Sequence, residues 1–229
     1  MTHFVLVPGA WLGSWAWDQV VPLLTEAGHE VTAVTLSGVA ERRDIPVGEI
    51  GLATHVADVV EAARRTDGEV VLVGHSYSGI PVGQAATGLA ERLRRVVFVD
   101  SNVPTEPFAG PPEKQEAFRA GLEENGGYWM LIGAGDLAGQ DLTDEQIATM
   151  LERSTPHPGR TLTEAPTLSA PLAGLPATYI KCLMDWPEPS DDVKELLDSP
   201  SWELVELNTG HWPMFSTPDD LAKILLGVA

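Results

Sequence analysis

Short valine-rich runs separated by helix-like stretches constrain the fold of this chain more than any other feature. Phe4–Val7, Glu30–Leu36, Glu69–Val73 and Arg95–Asp100 are apolar and show no clear inside–outside alternation. A strand buried on both faces has this character, because it has no solvent face to mark. Helical stretches fall between them at Ser14–Ala27, Gly51–Thr66 and from Ser76 to about Arg92. Strands and helices alternating at these lengths imply right-handed crossovers and a parallel sheet.

The rhythm stops after Asp100. Residues 101–173 are rich in proline and glycine and carry helical pieces near Glu113–Glu124 and Thr143–Arg153. Thr143 followed by Gln146 fits a capping box at the start of the second piece. The stretch is too long for a simple loop, so it is expected to be a helical cap insertion. The alternation then resumes with strands at Thr178–Leu183 and Trp202–Leu207 and helices near Asp191–Asp198 and Pro218–Leu226. Pro218 suits the first turn of its helix. The expected organisation is one core, residues 1–100 and 174–229, with residues 101–173 inserted. Its sheet has six mostly parallel strands, with helices on both faces.

Composition limits the partners. Acidic residues number 33 against 14 basic, for a net charge of −19. Such a surface repels phosphate backbones and anionic lipid, which argues against nucleic acid or membrane surfaces. A lone cysteine, Cys182, precludes an internal disulfide and reads as a packed strand thiol. No apolar run approaches the ~20 residues of a membrane span. The start, Met1-Thr2-His3, lacks the basic opening of a secretory signal. A soluble cytoplasmic protein is the expectation, and a homodimer is compatible with it.

The strongest chemical signal is Gly74-His75-Ser76-Tyr77-Ser78-Gly79, between a valine-rich strand and a helix. A serine at such a turn is forced into a strained backbone that lifts its hydroxyl above the sheet edge. Small neighbours, Gly74 and Ser78, let strand and helix approach closely. Ser76 is therefore the candidate nucleophile. Of the six histidines, His211 follows the last strand and precedes the last helix, where an open parallel sheet places its site. It is the candidate base, with Gly210 expected to free the loop. His75 is expected to point away from the nucleophile, His55 to be packed and hydrogen-bonded, and His157 at most to touch substrate.

The histidine needs a carboxylate to orient it. Asp185 ends the strand Thr178–Leu183 and gives the chain order Ser, Asp, His. Asp100, which ends the strand after the nucleophile, is the rival. Two amides are expected to hold the oxyanion. One belongs to Tyr77 and one to Ala10, in the glycine-containing loop Pro8–Gly13. Trp11, Trp129, Trp186, Trp212 and Met214 are candidate walls of an apolar substrate pocket. No metal site is expected.

Together, Val5-Leu6-Val7-Pro8-Gly9-Ala10-Trp11, the Ser76 turn and Gly210-His211-Trp212-Pro213-Met214 resemble the α/β-hydrolase superfamily. More narrowly, they resemble its methylesterase and hydroxynitrile lyase branch and bacterial esterase relatives. The resemblance spans nearly the whole chain apart from the insertion. It implies the α/β-hydrolase fold, a cap over the site, no cofactor and hydrolysis of small carboxylic esters. Two departures matter. Pro8-Gly9 stands where the branch commonly has His-Gly. Trp212 stands where the lyases carry a lysine that would stabilise a leaving cyanide. The second departure favours an esterase over a lyase. The remaining alternatives are a lyase or cyclase using the same triad, or a small-molecule binder without turnover.

Overall fold

The apolar runs assemble into one six-stranded sheet in the computed structural model, which describes all 229 residues; His3–Val7, Val70–His75 and Ala177–Cys182 are buried on both faces. In chain order the strands are β1 (His3–Val7), β2 (Glu30–Ala33), β3 (Val70–His75), β4 (Leu93–Val99), β5 (Tyr128–Trp129), β6 (His157–Pro158), β7 (Ala177–Cys182) and β8 (Trp202–Leu207). The sheet order is β2-β1-β3-β4-β7-β8, and every neighbouring pair is parallel. β5 and β6 form a separate antiparallel pair.

The helices are α1 (Val20–Glu26), α2 (Leu52–Ala63), α3 (Gly79–Gly88), α4 (Glu116–Glu124), α5 (Ala134–Leu137), α6 (Asp144–Arg153), α7 (Arg160–Thr163), α8 (Asp191–Leu197), α9 (Pro213–Ser216) and α10 (Pro218–Gly227). Alternate strand residues feed two apolar layers. Phe4, Leu6, Val71, Val73, Val97 and Val99 pack with Val20, Leu24, Leu221 and Leu225 of α1 and α10. Val5, Val7, Val70, Leu72, Val96 and Phe98 pack with residues of α2, α3 and α8. Both faces are therefore core, which explains why the strands carry no polar alternation.

All six expected sheet strands are present, in one wholly parallel sheet with helices on both faces. Differences lie at the ends of elements. The helix expected over Ser14–Ala27 is a 3₁₀ turn at Ser14–Trp17 followed by α1. β2 stops at Ala33: the Val34 amide still donates to the Leu6 carbonyl, and beyond it Thr35 Oγ1 accepts from the Ser14 amide and Asp58 from the Ser37 amide. The short helix α9, directly after the candidate base, was not anticipated.

The excursion between β4 and β7 contains α4 to α7 and the β5–β6 pair. The capping box at its longest helix is present: Thr143 Oγ1 accepts from the Gln146 amide, and Gln146 Oε1 accepts from the Thr143 amide. Hydrogen bonds tie the excursion to the core. The Thr155 amide donates to the Trp11 carbonyl at 3.0 Å, and Gln146 Nε2 donates to the Phe215 carbonyl at 2.6 Å. No helix is long and apolar enough to cross a membrane.

The chain leaves β1 for β2 on one side and later returns to place β3 on the other. The connections that leave β1 and β3 therefore run to opposite sides of the sheet, which makes this strand edge its topological switch point.

Candidate active site

Ser76 follows β3 with φ +53, a left-handed conformation that a non-glycine residue adopts only under constraint. Close packing supplies the constraint. A side chain at Gly74 would meet the Ser78 carbonyl at 2.8 Å, and one at Gly9 would meet the Ser76 Cβ at 2.9 Å. The Ser78 hydroxyl donates to the Pro8 carbonyl, which pins the loop after β1 to the turn. Ser76 itself is half-buried. Trp11 and Asp100, at the ends of β1 and β4, also have positive φ, +67 and +41. Three of the chain's five strained non-glycine residues thus sit around this sheet edge. The Ala10 amide, in the loop beside Ser76, has no hydrogen-bond partner in the backbone network.

The His211 loop comes from the end of β8. Its ring Nδ1 donates to Asp100 Oδ2 at 2.6 Å. Asp185 Oδ2 lies 3.5 Å from the same nitrogen, outside close hydrogen-bond range. The two carboxylates have different surroundings. Asp100 is buried and also ion-paired with the buried ammonium of Lys181. It accepts from the Cys182 amide as well, at 3.3 Å. Burial pushes the Asp100 carboxyl up, but the hydrogen bonds and charges of His211 and Lys181 outweigh it and hold it below its ordinary value. Asp185 is more open and accepts from Gln140 Nε2 at 3.3 Å. One ligand atom from each of Asp100, Asp185 and His211 lies within 4.8 Å of the others. Lys181 already supplies a cation to this group.

Three further histidines surround the site, all fully buried. His75 lies between the loops after β1 and β8. Its Nδ1 accepts from the Gly9 amide at 3.2 Å, and its Nε2 donates to the His211 carbonyl at 2.7 Å. Its ring centroid is 4.8 Å from that of His211. Burial and the nearby His211 push its pKa down to about 3, so it stays neutral and bridges the two loops. His55 is packed: its Nε2 donates to the Ser37 carbonyl and its Nδ1 accepts from the Tyr77 hydroxyl, both at 2.8 Å. Burial pushes it down to about 4. His157 accepts from the Trp11 amide and bonds to Thr161, and burial holds it well below its usual range. His157 is thus a structural link between excursion and core.

The aromatic candidates divide by burial. Trp11 and Trp129 pack with ring centroids 4.1 Å apart and planes tilted by 43°, and Phe108 packs between Trp129 and Tyr77. Trp186 is 70% exposed at the rim beside Asp185. Trp212 and Met214 are buried in the core layer that includes α1 and α10. Gly210 does not serve loop freedom. A side chain there would collide with the Gln140 carbonyl, so its role is close approach. Lys181 and Gln140 escaped the sequence reading. Lys181 left a signal, since a charge amid an apolar strand demands a buried partner. Gln140, in a glycine-rich segment, left none.

The chain belongs to the alpha/beta hydrolase family, whose pattern it matches over residues 4–224. Its relatives are esterases and place it among the carboxylic ester hydrolases. It is 32% identical to a carbendazim hydrolyzing esterase from Nocardioides sp. (strain SG-4G), with 98% of each chain covered. It is also 32% identical to Methylesterase 9 of Arabidopsis thaliana, over 100% of this chain and 98% of that one. Among solved structures, an extracellular alpha/beta-hydrolase from a Paenibacillus species superposes with a TM-score of 0.82. That pair shares 18% identity over 100% of this chain and 99% of the other.

Proposed function

We propose that Ser76 and His211 carry out two-step acyl transfer on small carboxylic esters. The observation that carries this reading is a strained serine directly after β3 and, in the loop after β8 at the same end of the sheet, an imidazole whose Nδ1 is engaged by a carboxylate. With Nδ1 donating, Nε2 is the basic atom left to take the Ser76 proton as its oxygen attacks the ester carbonyl. The Ala10 and Tyr77 amides hold the oxyanion. His211 then protonates the departing alcohol and activates the water that releases the acid.

The acid arm is shared. Asp100 fixes the ring tautomer by its direct bond, while Lys181 cancels its charge. Asp185 adds the net negative charge that balances the imidazolium. The excursion serves as a cap, and its Trp129 and Phe108, with Trp11, form an aromatic wall for the acyl group. The names of the relatives put methyl esters at the head of a substrate panel.

The test is labelling by a fluorophosphonate probe together with hydrolysis of p-nitrophenyl acetate. The parent protein is expected to do both. Ser76→Ala is expected to do neither while unfolding at the same denaturant midpoint. Turnover that survives in this variant excludes the assignment.

A further inference from the structure

His211 is held by more than its carboxylates. Its carbonyl accepts from His75, and its amide donates to Gln140 Oε1 at 2.6 Å. The other end of the same Gln140 side chain, Nε2, donates to Asp185 Oδ1 at 3.3 Å. One amide from the excursion thus grips both the base-bearing loop and the more open carboxylate. The amide orientation is fixed by its partners, since a flip would set N–H against N–H and oxygen against carboxylate. The backbone around Gln140 is built to deliver it. Gly139 and Asp141 on either side have φ of +77 and +58, and the Gln140 carbonyl packs against Gly210 where no side chain fits.

We propose that Gln140 is a positioning residue that couples the seating of the excursion to the alignment of His211 and Asp185. The proposal rests on the assignment of His211 as base. Gln140 does not take part in proton transfer. It sets where the imidazole and the second carboxylate stand when transfer occurs. Glutamine is the side chain that meets both demands, one acceptor and one donor at this reach. Glutamate would keep the acceptor for the His211 amide but oppose Asp185 with a second negative charge.

The groups facing His211 are Asp100 from the end of β4, with Lys181 of β7 behind it, Asp185 after β7, and neutral His75 from β3. Gln140 is the contribution of the excursion, and it is uncharged. A charge introduced there is therefore read directly in the pH profile.

The experiment compares Gln140→Met and Gln140→Glu with the parent in ester hydrolysis across pH. Gln140→Met keeps length and loses both bonds. Its kcat is expected to fall roughly 10- to 100-fold with KM changed less than about threefold, as for lost alignment rather than lost substrate contact. Gln140→Glu is expected to move the acidic limb of kcat/KM upward by about half a unit to one unit, because the added charge favours the imidazolium. Equal unfolding midpoints show that folding is not the cause. Unchanged kcat in Gln140→Met, or a raised KM with kcat intact, overturns the proposal, as does an unmoved acidic limb in Gln140→Glu. Ser76→Ala and His211→Ala, run alongside, separate the two levels. If they still turn over ester, the site assignment itself is wrong and the proposal falls with it.

Discussion

Two carboxylates compete for one imidazole nitrogen, and their neighbours decide what each can do. Asp100 is buried, bonded to His211 Nδ1 at 2.6 Å and charge-matched by Lys181. Asp185 stands 3.5 Å away and is steadied by Gln140. If both serve the imidazolium, Asp100→Asn and Asp185→Asn should each lower kcat by at least about tenfold. A variant within twofold of the parent in steady-state hydrolysis removes that carboxylate from the mechanism. Lys181 is tied to Asp100 energetically. Lys181→Met strips a buried charge of its partner, so a loss on the order of 3 kcal/mol is expected. Asp100→Asn combined with Lys181→Met should recover most of that loss in chemical denaturation. A double variant no more stable than Lys181→Met would show that the two are not a coupled pair.

Among the elements, the turn after β3 and the loop before α9 do most to shape the site. The turn works through small residues. Gly74 admits the Ser78 carbonyl, and Gly9 lies against His75 and Ser76. The loop works through Gly210, which seats the excursion by contact with Gln140. Gly210→Ala should therefore displace the excursion or the His211 loop. A kcat loss of more than about tenfold is expected, because small misplacements of a base are expensive in rate. A Gly210→Ala enzyme with parental kcat would mean that the close approach has no catalytic consequence. Much of the element pattern was legible beforehand, because the central strands β1 and β3 are apolar runs and the others carry short apolar stretches between helix-like segments. The ends were less legible. Val34 to Leu36 look like strand, yet the Thr35 hydroxyl accepts from the Ser14 amide and the next amide, of Ser37, donates to Asp58, partners distant in sequence.

At the scale of the whole molecule, buried neutral histidines make stability depend on pH. His55 and His75 titrate at about 4 and about 3 in the folded protein, and burial also depresses His157. In the unfolded chain each takes up a proton below about pH 6.5. Between that pH and the folded values, the unfolded state binds more protons, so stability falls as pH falls. Each histidine contributes at most about 1.4 kcal/mol per pH unit in this window. Urea midpoints should thus drop steadily from pH 7 to pH 5. Midpoints that stay level over this range would show that these histidines are not held neutral.

The sequence by itself determined the parallel sheet, the strained Ser76 turn and the placing of His211 after the last strand. Those are local properties, written in apolar runs and in small residues around a turn. Tertiary structure alone decided which carboxylate touches the ring, that His75 bridges two loops, and that Gln140 and Lys181 join the site. Each of these depends on distances between segments far apart in the chain. Both Asp100 and Asp185 end a strand at the same sheet edge, so strand position could not separate them. A buried lysine and a seated glutamine did, by pairing with one carboxylate each.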